Sequence, residues 1–188
     1  IWRSLEDRFT IRGLVEQDRS NGDKTKDTWW VRNKYDRFST SDPDNYYGYQ
    51  LYFEYDKFAD LDLRTMTGPY IGRQFFENNI LNMHAEVGIV YVDEQFDVAE
   101  DSDFWGSNWE VRLTSGIIPK FELYMDQDGV LNLNDTGDSI MNTVFGIRFP
   151  LIFGLQAAAE AKWEYDGGAA EGVDDTDETY NFKLGYKW

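Results

Sequence analysis

The chain has 188 residues, 35 of them Asp or Glu against 18 Lys or Arg, and a formal net charge of −17 makes nucleic acid an unsuitable partner. It has the length of one domain, 1–188, and no cysteine, which excludes a disulfide framework and thiol chemistry. No stretch approaches the ~20 apolar residues of a transmembrane helix, but a membrane barrel passes this test, because its lumen side is polar and its strands only alternate.

Ile1-Trp2-Arg3 opens the chain without a charged and then apolar export signal, so the expected form is mature or truncated. Period-2 alternation then places strands at 2–16 (Phe9, Ile11, Val15), 26–39 (Trp29, Val31, Tyr35) and 45–57 (Tyr47, Tyr49, Leu51, Phe53, Tyr55). Further strands are expected at 60–74 (Leu61, Leu63) and 79–94, where Leu81, Met83, Ala85, Val87, Ile89 and Tyr91 oppose Asn82, His84, Glu86 and Gly88. The remainder are 104–116 (Trp105, Trp109, Val111, Leu113), 118–126 (Phe121, Leu123, Met125) and 138–149 (Phe145, Ile147, Phe149). Last come 153–165 (Leu155, Ala157, Ala159, Ala161, Trp163, Tyr165) and 177–188.

Ten strands of this length exceed the ~5–6 residues usual in soluble sheets and reach the ~9–11 of a tilted membrane strand. The aromatic content of 17% suits interfacial girdles. Connections at 39–44, 77–79, 117–119 and 150–153 read as short and those at 17–26, 95–103, 127–137 and 166–177 as long, with 57–59 an exception. Short periplasmic turns and long extracellular loops are the bacterial outer-membrane pattern, with both termini periplasmic. Proline is expected only at turns or strand ends. The fold class is therefore all-β, a transmembrane antiparallel up-and-down barrel with ten strands visible.

The final strand, Tyr180, Phe182, Leu184, Tyr186 and Trp188 in alternation, resembles the signal that the outer-membrane barrel assembly machinery reads by β-augmentation. That machinery, outer-membrane lipid and lipopolysaccharide are the partners it implies; an ordinary amphipathic strand is the plain alternative. On the polar face the lumen-facing candidates are Arg8, Arg12, Arg32, Lys34, Glu54, Asp62, Arg64, His84, Glu86, Glu110, Arg112, Arg148, Glu160, Lys162 and Lys183. Glu6, Glu16, Asp36, Glu122, Glu164 and Lys187 share that face. Nearly balanced charge favours ion pairs in a filled lumen, because an unpaired buried charge costs several kcal/mol. A wet pore with charged rows that select solutes is the alternative.

His84 is the one histidine, and its place in the inner half of the wall argues against a rim catalytic triad, so no enzyme and no cofactor is expected. Acidic clusters at Asp97, Glu100, Asp101 and Asp103, at Asp126, Asp128 and Asp135, and at Asp174, Asp175, Asp177 and Glu178 read as loops. They suit a surface that binds a partner, a polymer or Ca²⁺, although none has the spacing of an EF-hand and a solvated, repulsive loop surface is the favoured explanation.

The segment Phe53-Glu54-Tyr55-Asp56-Lys57-Phe58-Ala59-Asp60-Leu61-Asp62-Leu63-Arg64, then Gly68-Pro69-Tyr70-Ile71-Gly72 and Leu81-Asn82-Met83-His84-Ala85-Glu86-Val87-Gly88, resembles the salt-induced outer-membrane protein family. Pro69 and Ile71 interrupt the family's glycine stretch. The resemblance implies an outer-membrane barrel of unknown function, with a structural or passive porin-like role linked to salt or osmotic stress. Members of that family open with a hairpin before the strand aligned with 6–16, so either ten strands close the barrel or twelve do.

Overall fold

Alternating apolar and polar residues can satisfy water or lipid on one side and a polar interior on the other only as extended strands, and the chain builds one sheet from them. A computed structural model describes residues 1–4, 6–20, 22–116, 120–169 and 174–186. The strands are β1 (Trp2–Arg3), β2 (Asp7–Ser20), β3 (Asp23–Phe38), β4 (Asn45–Asp56), β5 (Leu61–Glu77) and β6 (Leu81–Phe96). They continue as β7 (Ser102–Ser115), β8 (Glu122–Asn132), β9 (Ser139–Pro150), β10 (Leu155–Asp166) and β11 (Thr176–Tyr186). Each pairs antiparallel with its neighbours in sequence, so the order is β1 to β11 without a crossover. Among the described residues no ladder joins β2 to β11.

The sheet curls. Arg64 on β5 touches Asp166 at the end of β10, and Arg32 on β3 touches Asp128 on β8, so side chains from opposite parts of the sheet meet on its concave side. We call the end that holds the β2–β3, β4–β5, β6–β7, β8–β9 and β10–β11 connections the upper end, and the other the lower.

Several boundaries depart from the sequence reading. Strand 2–16 is two strands, because Ser4 accepts at its hydroxyl from the backbone N–H of Asp7 and its own N–H donates to the Asp7 carbonyl, which turns the chain before β2. Residues 17–26 are not a long loop: β2 and β3 stay paired up to Ser20 and Asp23. Nor is 127–137, since β8 runs on to Asn132. The unequal loop lengths expected at the two ends therefore largely vanish, and only the β10–β11 connection remains long. Backbone pairing carries these polar stretches as strand where composition suggests loop.

Pro69 breaks the expectation for proline, since it stands inside β5 opposite Tyr49 of β4. Toward β6 the ladder skips from Thr67 to Tyr70 at this point, and proline has no N–H to donate there. At the β4–β5 connection, residues Lys57–Ala59 form a 3-10 turn capped by Asp56, whose carboxylate accepts from the N–H groups of Phe58 and Ala59. Asp60 closes it with φ of 60°.

The concave side buries charged side chains beside apolar ones, and the convex side exposes apolar ones. Phe9, Ile11, Tyr35, Tyr47, Tyr49, Ile71, Val87, Ile89, Trp105, Phe145, Trp163, Tyr180, Phe182 and Leu184 are all exposed on the convex face. Asp36 on the concave face is fully buried, and Lys34, Glu86, Glu94 and Glu110 are nearly so. One row across four strands shows the convex pattern: Phe182, Ala159, Ile147 and Leu123. Two aromatic pairs lie on that face toward the upper end, Trp29 with Tyr55 at 6.2 Å and Tyr91 with Trp105 at 5.4 Å.

Candidate functional site

Reading β6 from its lower to its upper end lays out the interior: His84, Glu86, Gly88, Val90, Val92 and Glu94 face inward in turn. Charge, then hydrocarbon, then charge recurs on the strands around it. The concave side is filled in layers.

In the lower layer, Asp36 receives Arg8 Nε at 2.6 Å and the Tyr70 hydroxyl. Glu86 receives the Tyr46 hydroxyl at 2.9 Å and Lys34 Nζ. Lys34 also donates to Glu110 at 3.1 Å and lies 4.6 Å from the centre of the Tyr70 ring. Around Glu110 gather Arg32 at 3.3 Å, Arg112 at 3.4 Å and the His84 ring at 3.7 Å, the last beyond hydrogen-bond reach. Arg32 bridges on to Asp128 at 3.3 Å and Arg112 to Asp126 at 2.5 Å.

One device recurs three times. The Tyr46 ring lies across Gly72 of the next strand to reach Glu86 on the strand beyond, and Tyr70 lies across Gly48 to reach Asp36. Tyr124 does the same across Gly146, donating to Glu160 at 2.5 Å. A Cβ on Gly72 would stand 2.4 Å from the Tyr46 ring, and one on Gly146 2.3 Å from that of Tyr124, so only glycine lets the rings pass. The hydroxyls matter as well as the rings. Replacing Tyr46 with Phe removes a donor from a buried carboxylate and is expected to cost about 1–2 kcal/mol, read as a lower urea midpoint at unchanged slope.

Above this lies hydrocarbon: Tyr52, Met66, Val90, Val92, Phe104 and Val130 pack together, with Trp30 against them. Val90 and Val92 are fully buried. At the upper mouth, Arg64 donates from Nε to Glu94 at 2.6 Å, from Nη1 to Glu54 at 2.9 Å and from Nη2 to Asp166 at 2.8 Å. Lys26 pairs with Glu16 and Lys162 with Glu164, each at 2.7 Å, around a cavity of about 170 Å³ that Trp30, Arg64 and Asp166 also line.

The structure thus brings Arg8, Arg32, Lys34, Glu54, Arg64, His84, Glu86, Glu110 and Arg112 into the interior. Arg12 stands partly buried opposite Arg32. Lys162 is partly buried beside Glu164, and Glu160 is held by Tyr124 and Lys183. Arg148 pairs with Glu122 at the half-exposed lower rim, and Lys183 is largely exposed on β11. Asp62 is exposed, because a bulge between Leu61 and Leu63 shifts the register and turns Leu61 inward instead.

The reading of Asp103, Asp126, Asp128, Asp177 and Glu178 as loop acids is corrected: Asp103 is on β7, Asp126 and Asp128 are on β8 in ladder opposite Arg112 and Glu110, and Asp177 and Glu178 are on β11. The sequence reading missed the inward apolar layer, and missed Glu94 and Asp166 as partners of Arg64. One signal was available, the nearly unbroken apolar run Val87 to Val92, which marks a strand covered on both sides. Tyr180, Phe182, Leu184 and Tyr186 are exposed on the convex face of β11, and Trp188 lies outside the described residues. Among the described residues no three His, Cys, Asp or Glu side chains are grouped to hold a metal ion.

No curated protein and no solved structure matches the chain. A family profile described as a protein of unknown function, DUF481, matches residues 1–188, so the chain belongs to that family.

Proposed function

We propose that this protein is an integral outer-membrane β-barrel with a structural role, its interior sealed by packed side chains and its termini periplasmic. The exposed apolar face over a charge-bearing interior carries the reading: an Asp at 0% exposure on the concave side and a Tyr at 72% on the convex side suit a sheet that meets lipid outside and its own charges inside. The convex apolar surface runs over many strands, where soluble monomers keep such patches to a few hundred Å². Strands of 11–17 residues from β3 onward are long enough to cross a bilayer with tilt. The hydrocarbon layer around Val90 and Val92, lying between two charged layers, favours a closed lumen over a permeation path.

Membrane fractionation followed by planar-bilayer recording tests both parts. The expected result is co-sedimentation with the outer membrane and silence in the bilayer. Discrete conductance steps would support the porin-like alternative, and recovery in the soluble fraction without detergent would remove the membrane reading. The resemblance to salt-induced outer-membrane proteins supports a link to salt stress, and raised abundance in cells grown at high NaCl is its expected sign.

A further inference from the structure

On the convex face near the lower end, the ladder rows of β4, β5 and β6 leave a groove of about 500 Å³. Tyr47, Ile71, Phe75, Ala85 and Val87 line it with almost wholly apolar surface, and Arg73 stands among them. The cause is local. Arg73 faces Ala85 across the β5–β6 ladder, and the short alanine side chain leaves open the volume that its larger neighbours wall. Arg73 is half-exposed and donates from Nη1 to Asn45 Oδ1 at 3.1 Å, with Asp42 3.7 Å away. A guanidinium has five N–H donors, and among the described residues one of them is engaged within hydrogen-bond distance.

We propose that this groove retains one anionic phospholipid, with an acyl chain along Ile71, Ala85 and Val87 and its phosphate on Arg73. The proposal rests on the outer-membrane reading, which puts the lower end at the periplasmic leaflet. Two features select the occupant. The apolar walls call for a hydrocarbon tail, and a half-exposed cation beside them calls for an anion that takes paired N–H donors, as phosphate does. Arg73 lies level with the start of β4, opposite Asn45, where the β4 side of the groove gives way to the polar connection before that strand, while β5 runs on below it through Phe75 and Phe76. A headgroup belongs at that boundary.

Native mass spectrometry of the full chain released from detergent micelles tests the proposal, with phosphatidylglycerol and phosphatidylcholine of identical acyl chains as probes. The wild type is expected to keep a single phosphatidylglycerol adduct about tenfold more than phosphatidylcholine, the size of one charge-assisted hydrogen bond. Arg73→Gln removes that preference, Arg73→Lys keeps part of it, and Ala85→Leu weakens retention of both lipids. Heat-dependent gel mobility checks that each variant is folded. Equal retention of the two lipids by the wild type, or a preference unchanged in Arg73→Gln, overturns the proposal. Displacement of the adduct by millimolar inorganic phosphate overturns the role of the acyl chain. Failure of the outer-membrane reading is separate: it is seen in the fractionation, and leaves the measured lipid preference as it stands.

Discussion

Replacing Arg64 with Met is expected to cost about 3–5 kcal/mol of unfolding free energy, the size found when one partner of a buried ion pair is removed. The methionine fills much of the same space, so the loss is electrostatic. Glu54, Glu94 and Asp166 all turn to this one guanidinium, through three different nitrogens, and Glu94 is itself buried. Without Arg64 three carboxylates face each other at the upper mouth. Urea unfolding of the protein in micelles, followed by tryptophan fluorescence, measures the loss. Adding Glu94→Gln to Arg64→Met should restore part of it, because residues in one network couple. A buried cluster is little screened, so the loss should persist at high salt. A change within about 0.5 kcal/mol would mean that the three acids are solvated and the mouth is wet.

Phe104→Ala is the second large effect, at about 3–5 kcal/mol for a buried aromatic truncated to a cavity. Phe104 is 3% exposed and packs with Val90, Val92, Met66, Tyr52 and Val130. Its neighbour Trp105 points the other way and is 56% exposed, so Trp105→Ala should cost distinctly less in the same urea titration. The contrast between adjacent residues separates a packed interior from a water-filled one, in which Phe104 would border solvent and its truncation would be mild. Equal losses for the two variants would count against the filled lumen.

The convex face was legible from residue identity. Tyr180, Phe182 and Leu184, and likewise Val87 and Ile89, alternate with polar neighbours, and a period of two leaves one assignment of faces once a strand is granted. The strand centres followed from the same period. Strand ends did not, because at Gln17, Asp18 and Arg19, or at Asp126, Gln127 and Asp128, the residues are polar on both faces and only the partner strand's backbone keeps them extended.

Within the candidate site, the sequence displayed the charges of Arg32, Lys34, Arg64, Glu86 and Glu110 but not their partners. Arg64 and Asp166 are 102 residues apart, and Arg32 and Asp128 are 96. No local spacing links them. The curl of the sheet brings them together, and glycines at 48, 72 and 146 let tyrosines reach across a strand.

What the amino-acid order alone determined is an antiparallel all-β chain with one aromatic face and one charged face, because side-chain direction along a strand is a local property. Tertiary structure decided which charges pair, that hydrocarbon lies between the two charged layers, and that Asp62 turns out while Leu61 turns in. Those outcomes depend on curvature and on a bulge, which arise from ladders between distant segments; of them only the hydrocarbon layer marks a single strand, in the apolar run Val87 to Val92.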